Sequence, residues 1–363
     1  MHSTEPSTTV FQFIESDDLQ VLQKENESLR TITFITCIAV ITLGAIGNGL
    51  VVLILGTRKP KLKSFEYFMI SLAVSDFINA VVAPTQNILE LINFDFRKIG
   101  LCGCKFISFI SFTSLTVTAL TLVTVSVDRF WAIRWPLRKR LHQKRIVVVA
   151  ILSTWVAASV FGSIYFVGNN VCLNSVNNNT VYECYTCMKQ SEFSIFVLSG
   201  FTVQTGIPIV LMTVLYVLIV IELRNKSKMK RFVSDKQEMK LRLIQNTKST
   251  KMVVTVVVIF YICFLPINLF YLWYMFHKHK HLIQEIKIIF DILTLLQMCT
   301  SVANPIIYSR LHTTFKREII KLICPCCYDK SRKNFWIRFS SVISNEKTLT
   351  KNETSERRSL QTF

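Results

Sequence analysis

ITFITCIAVITLGAIGNGLVVLIL, residues 32–55, runs without a single Asp, Glu, Lys or Arg. A helix rises about 1.5 Å per residue, so roughly 20 such residues cross a hydrocarbon core of about 30 Å. A soluble helix keeps a polar face for water, and this stretch has none to offer. It reads as a membrane span. Six further stretches repeat the pattern at 68–91, 106–127, 146–167, 193–221, 252–276 and 288–309. The second holds Asp76 and Glu90 and the seventh Asp291; the others are free of charge. The fold class predicted is an all-α membrane protein, a seven-transmembrane helix bundle covering residues 31–311.

The formal charge of +19 over 363 residues would suit nucleic acid if it were spread over a soluble surface. It is not spread. Arg58, Lys59, Lys61 and Lys63 follow span one, and Arg134, Arg138, Lys139, Arg140, Lys144 and Arg145 follow span three. Residues 224–251 after span five and 316–358 after span seven are basic too, whereas the alternate connections are mixed. The N-terminal segment, 1–30, carries Glu15, Asp17, Asp18, Glu25 and Glu27. The positive-inside rule puts that segment outside the cell and the C-terminus in the cytoplasm, and the basic loops face water and lipid headgroups rather than nucleic acid. Residues 1–30 lack a basic start followed by an apolar stretch, so no cleavable signal is expected and span one serves as the insertion signal. Asn26-Glu27-Ser28 and Asn178-Asn179-Thr180 are glycosylation sequons on the outer side, at Asn26 and Asn178. Matching patterns at Asn225 and Asn352 fall inside, where they carry no meaning.

Polar groups inside hydrocarbon are costly, which makes them functional candidates. Here they are Asn48, Asp76, Asp128 beside Arg129, Asp291 and Asn304. Around them stand Gly47-Asn48, Leu72-Ala73-Val74-Ser75-Asp76, Asp128-Arg129-Phe130, Trp155, Pro208 with Tyr216, Phe260 with Cys263-Phe264-Leu265-Pro266, and Asn304-Pro305-Ile306-Ile307-Tyr308. In that order, each in its own span, these motifs resemble the rhodopsin-like, or class A, G-protein-coupled receptors. The resemblance covers roughly residues 31–327. It implies a receptor of the plasma membrane, and a short amphipathic eighth helix opened by Phe315 within 312–327.

The resemblance also implies roles. Asp76, buried in a low dielectric, needs a cation, a proton or several donors. In the family the matching carboxylate helps to bind sodium, for which Thr118, Ser301, Asn304 and Asn48 offer oxygens; a protonated, hydrogen-bonded Asp76 is the other reading. No cofactor is obligatory, and the sodium ion is an allosteric candidate. Arg129 pairs with Asp128 in one state and offers its fork to a partner in another. With Phe130 and Leu137 they form the expected G-protein contact. Tyr216, Phe260, Phe264, Pro266, Asn304, Pro305 and Tyr308 are the expected activation switch, the prolines kinking their helices. Tyr216 and Tyr308 are expected to meet near Arg129 through water. Phe130 stands for the usual tyrosine and Phe264 for the usual tryptophan. Asn246 stands where many relatives carry an acid that locks the arginine, so a weak resting restraint and raised basal signalling are expected.

Of 11 cysteines, Cys102, Cys104, Cys172, Cys184 and Cys187 lie on the oxidising outer side. Family spacing pairs Cys104 with Cys184, with Cys187 as the rival partner. The composition of 181–186 is that of a β-strand, part of a hairpin over the pocket. Cys324, Cys326 and Cys327, beside basic residues, fit palmitoylation, with a metal site as the rival. The tail at 328–363 is polar and rich in Ser and Thr, as a disordered cytoplasmic segment is. The family adds a receptor kinase and arrestin as its partners.

Other functions fit poorly. Met298 stands where an opsin needs a lysine, and all six histidines lie outside or at the edges of the spans, so neither a light receptor nor a membrane hydrolase is expected. A transporter or channel, the remote alternative, wants a polar path or repeat symmetry that the chain lacks. Ser111 occupies the place where amine receptors carry an aspartate. The expected pocket holds Glu90, Ser111, Phe112, Phe264, Asn268 and Asp291, with Phe106, Phe109, Phe270, Tyr271 and Trp273 around them and Lys105 near the mouth. Such a wide aromatic mouth with few charges suits a peptide, most readily a neuropeptide; a lipid or another non-amine small molecule is the alternative. His277-Lys278-His279-Lys280-His281, in the third outer loop, is read as a basic rim for acidic ligand groups, with zinc and acid sensing as rivals.

Overall fold

The computed structural model describes residues 27–57, 62–135, 143–176, 179–186, 190–229, 237–276 and 283–323. Seven of its helical stretches are long and apolar enough to cross a membrane. Span one is α1 (Glu27–Gly56), span two α2 (Ser64–Leu91), span three α3 (Gly100–Arg134) and span four α4 (Gln143–Gly168). Span five joins α5 (Gln190–Phe201), a π turn (Thr202–Gly206) and α6 (Ile207–Met229). Span six is α7 (Gln237–Phe276), and span seven joins α8 (Ile283–Met298) to α9 (Thr300–Leu311). The helices overrun the apolar stretches because the chain keeps its backbone bonded beyond the hydrocarbon. At the start of α2 the Lys63 N–H donates to Glu66 Oε2 at 2.8 Å, closing one orphan donor.

Small residues let the first span approach its neighbours. A methyl group added at Gly47 would stand 2.9 Å from Pro305 Cγ, and one at Gly44 2.5 Å from Ala80 Cβ. Spans one, two and seven therefore meet at backbone range, as small residues permit in membranes. Met298, in the place of the opsin lysine, is buried with Cys37, Val40 and Ala80. Trp155 of span four donates its indole N–H to Ser71 Oγ of span two at 3.1 Å.

Prolines act differently from span to span. Pro266 sits inside an unbroken α7. Pro208 offers no N–H to the Gln204 carbonyl, and the π turn ends two residues before it, with the Ile207 N–H reaching back to the Thr202 carbonyl. In span seven the α-helical run is interrupted at Cys299, and Pro305 lies inside α9.

The outer hairpin is larger than the strand expected at 181–186. β1 (Asn169–Val176) pairs antiparallel with β2 (Asn179–Thr186), with Val171 opposite Cys184 and Leu173 opposite Tyr182. The chain divides into two compact units at Leu311 and His312. In the second, α10 (Thr313–Ile323) is capped by His312, whose Nδ1 accepts from the Phe315 N–H at 3.2 Å. Phe315, Ile319 and Leu322 share one face of α10, while Lys316, Arg317 and Lys321 lie off it. The sequons at Asn26 and Asn178, the loop of Leu137, the histidine loop at 277–281, and Cys187, Cys324, Cys326 and Cys327 fall outside the described residues.

Candidate functional site

Asp76 lies halfway along span two with 2 % of its surface exposed. Its Oδ2 accepts the Asn304 amide at 2.6 Å and its Oδ1 the Thr118 hydroxyl at 3.3 Å. Thr118 Oγ1 is also 3.0 Å from Ser75 Oγ. Spans two, three and seven thus share one buried carboxyl group. Ser301 joins through a neighbour, since Asn79 Nδ2 donates to Ser301 Oγ at 2.8 Å. Asn48 does not bond Asp76. Its amide donates to the Ser301 carbonyl at 2.7 Å and the Gly44 carbonyl at 2.9 Å. The Ser301 carbonyl is the one whose helical donor would be residue 305, a proline with no N–H. Sequence reasoning passed over Asn79 and gave Ser75 no role beyond its place in the Leu72–Asp76 motif. Asn79 had a signal, for it stands three residues beyond Asp76 and shares its helix face. The side-chain oxygens of Asn48 and Asn79 are buried with no hydrogen-bond partner. Amide oxygens beside a carboxylate are ligands for a hard cation or acceptors for water.

Below this core lies an apolar layer of Leu72, Leu122, Val125, Met252, Val256 and Tyr308. Arg129 sits beneath it, 6 % exposed, ion-paired with the equally buried Asp128 and stacked 5.2 Å from the Phe65 ring centre. Tyr216 OH is 3.0 Å from Ser126 Oγ, while the Tyr308 hydroxyl is buried without a partner. Two contacts tie the inner ends of the spans: Asn246 Nδ2 donates to the Ala132 carbonyl at 2.8 Å, and Arg134 Nη1 lies 3.1 Å from Glu222 Oε1. Phe130 packs edge-on against Trp131, which stacks on Trp135 at 4.4 Å.

Phe260 and Phe264 of α7 stack at 4.9 Å, and Phe264 has no exposed surface. Gln204, in the π turn of span five, is buried and donates to Thr116 Oγ1 of span three at 2.8 Å. No motif pointed to it, although a glutamine inside an apolar run is a signal in itself.

The expected pocket residues divide. Ser111 is buried with an unpartnered hydroxyl. Asn268 donates back to the Phe264 carbonyl at 2.8 Å, Glu90 accepts from Gln86 at 3.0 Å, and Asp291 is half-buried on α8. Phe112, expected in the pocket, is half-buried, its ring stacked on Tyr165 and edge-on to Phe196 in the wall of spans three, four and five. Phe106 and Phe109 likewise pack on Phe166 of span four. Phe264, fully buried, is the outer ring of its stack with Phe260. Phe270, Tyr271 and Phe290 gather between α7 and α8.

Over this end, Cys104 is disulfide-bonded to Cys184, with Cα atoms 5.6 Å apart, so the family pairing holds. Phe96 of the short 3₁₀ turn Phe96–Lys98 is fully buried against the bridge. Beside it Arg97 forks onto Asp95, Nε to Oδ1 at 3.0 Å and Nη2 to Oδ2 at 2.7 Å, and its guanidinium lies 3.9 Å from the Tyr182 ring centre. The Arg97 fork holds the Asp95 carboxyl below its ordinary range. The hairpin is fastened to the first outer loop by this contact and to span three by the disulfide.

A family described as 7 transmembrane receptor (rhodopsin family) matches residues 47–308. The chain is 25 % identical over 323 residues to the RYamide receptor of Drosophila melanogaster, covering 87 % of this chain and 68 % of the relative. It is 26 % identical over 303 residues to neuromedin-U receptor 2 of Mus musculus, covering 79 % and 74 %. With the tachykinin-like peptides receptor 86C of Drosophila melanogaster it shares 23 % over 304 residues, 80 % of this chain but 58 % of the relative, so the chain spans less than two thirds of that receptor's length.

Proposed function

From the premise that the chain belongs to the rhodopsin family of seven-transmembrane receptors, we propose that it binds an extracellular peptide and activates heterotrimeric G proteins. The observation that carries the peptide reading is that the similar receptors take their names from peptides. The clamped hairpin and the aromatic group at Phe270, Tyr271 and Phe290 support it. Ser111, without a carboxylate, supports a ligand other than an amine.

In this reading the N-terminus faces outward and the C-terminus the cytoplasm of a cell bounded by the plasma membrane. Ligand contact at the outer end shifts the Phe260 and Phe264 stack and the π turn of span five. Arg129 is then released from Asp128 toward the G protein, with Leu137 as an apolar contact. A sodium ion fits the core: Asp76, Thr118, Ser301, Asn304 and the unpaired oxygen of Asn48 are the donors that would hold it. Its charge would offset that of Asp76 and favour the resting arrangement. Receptor kinase and arrestin act on the Ser and Thr tail, Asn26 and Asn178 carry glycans, and Cys324, Cys326 and Cys327 carry palmitate. The test is a nucleotide-exchange screen of cells bearing the chain, with amidated peptides against a lipid panel. Peptides alone should stimulate exchange, and stimulation by lipids alone would overturn the ligand reading.

A further inference from the structure

The carbonyl of Ala132, at the inner end of span three, would find its helical donor at residue 136. That residue is Pro136, whose nitrogen carries no hydrogen whatever its conformation. The helix closes with Arg134, and the last backbone donor there, the Trp135 N–H, goes to Trp131. Asn246 of α7 fills the gap, its Nδ2 donating to the Ala132 oxygen at 2.8 Å. The same chemistry occurs at the other end of the core, where Pro305 leaves the Ser301 carbonyl without a donor and Asn48 of span one supplies one at 2.7 Å. In both places an asparagine from a distant span satisfies a carbonyl orphaned by a proline. A carbonyl can only accept, and the amide brings its donor without a charge.

We propose that Asn246 and the Ala132 carbonyl form an uncharged latch that holds the inner ends of spans six and three together and limits ligand-free signalling. This rests on the reading that a G protein engages Arg129. With 6 % of its surface exposed, Arg129 cannot be reached until those ends part. Asn246 therefore restrains the resting state through the backbone, leaving Arg129 to Asp128, and does not merely mark a missing acid. A backbone acceptor also explains why the latch has no partner side chain to identify it.

The test uses the full chain in nanodiscs with a supplied heterotrimer and two variants. Asn246→Leu removes the donor at similar volume. Replacing Ile133 by its α-hydroxy acid turns the Ala132 carbonyl into an ester, a weaker acceptor, with every other side chain kept; the same replacement at Leu120 is the control. Amide hydrogen exchange over residues 244–250 and ligand-free nucleotide exchange are read together. Both variants are expected to raise both rates by about twofold to tenfold, the span of one hydrogen bond's net effect, with the Leu120 control near wild type. Faster hydrogen exchange without faster nucleotide exchange leaves the latch standing and sinks the coupling reading. Unchanged hydrogen exchange in the ester variant overturns the latch, even where Asn246→Leu fails to fold.

Discussion

The Asn304 amide stands 2.6 Å from Asp76 Oδ2, so α9 of span seven is tied to span two through one carboxyl group. Such a hydrogen bond is worth about 0.5–1.5 kcal/mol net to a neutral carboxyl and about 1.5–3 kcal/mol to a charged one. Asn304→Ala should lower the thermal midpoint of the detergent-solubilised receptor by that amount of stability. Asp76→Asn removes the charge and replaces one acceptor oxygen with an amide donor. It should abolish any effect of sodium, against N-methylglucamine, on peptide affinity. A sodium effect that survives Asp76→Asn would rule out the proposed cation site.

Asn48 makes a comparable prediction about the first span. Its amide serves the Ser301 carbonyl, and Asn48→Ala leaves that buried acceptor empty at a cost of about 1–3 kcal/mol. Gly47→Ala should be destabilising for a different reason, since the new methyl group would stand 2.9 Å from Pro305 Cγ and the stiff ring cannot yield. Thermal unfolding of the two single variants and the double tests this; because both act on the same seam of spans one and seven, the losses should not add.

The outer clasp yields a pH prediction. Asp95 has its carboxyl pKa lowered in the folded state, chiefly by the Arg97 hydrogen bonds. A depressed carboxylate contributes above its unfolded value, near pH 3.8, and loses that contribution as pH falls through the lower folded value. Hairpin protection against hydrogen exchange should therefore be flat between pH 7.4 and 5 and decline only in stronger acid. Arg97→Ala should reduce protection at every pH, since it also removes the contact with Tyr182. A decline near pH 6 that persists in Asp95→Asn would point to another group.

The spans were legible because hydrocarbon tolerates little charge, and that rule acts residue by residue. The motifs placed Asp76, Asn304, Arg129 and the Cys104 bridge for the same reason: each is a residue type whose chemistry leaves few places to be. The role of Phe112 was less legible, because a phenylalanine near the outer end packs as readily on Tyr165 as on a ligand, and apolar contact carries no direction. The target of Asn246 was not legible at all. Its partner is a backbone carbonyl, orphaned by a proline four residues later, and no side chain records that. The π turn at Thr202–Gly206 escaped notice likewise, since Pro208 shows that a helical bond is lost but not how the chain makes it good.

Coupling should depend on the loop after span three. Leu137, beyond the paired tryptophans Trp131 and Trp135, is the apolar side chain expected to enter the G protein. Leu137→Asp should abolish ligand-stimulated nucleotide exchange with surface expression and peptide affinity intact. Undiminished exchange would remove Leu137 from the contact.

Gln204 and Thr116 offer a last prediction in which the smaller change does more harm. The Gln204 amide donates to Thr116 Oγ1 at 2.8 Å, and the Thr116 hydroxyl donates in turn to the Phe112 carbonyl at 2.8 Å. Gln204→Leu removes one donor but leaves Thr116 its bond to Phe112, so the cost should be modest, about 0.5–1.5 kcal/mol. Thr116→Val strands the buried Gln204 amide without its acceptor, and an unmet donor in a membrane interior costs more, about 1–3 kcal/mol. The double variant, with both groups apolar, should recover much of the loss, and its coupling energy measures the pair directly. Thermal midpoints of the four proteins settle the order. A Gln204→Leu variant less stable than Thr116→Val would show that the glutamine acts through a contact other than Thr116.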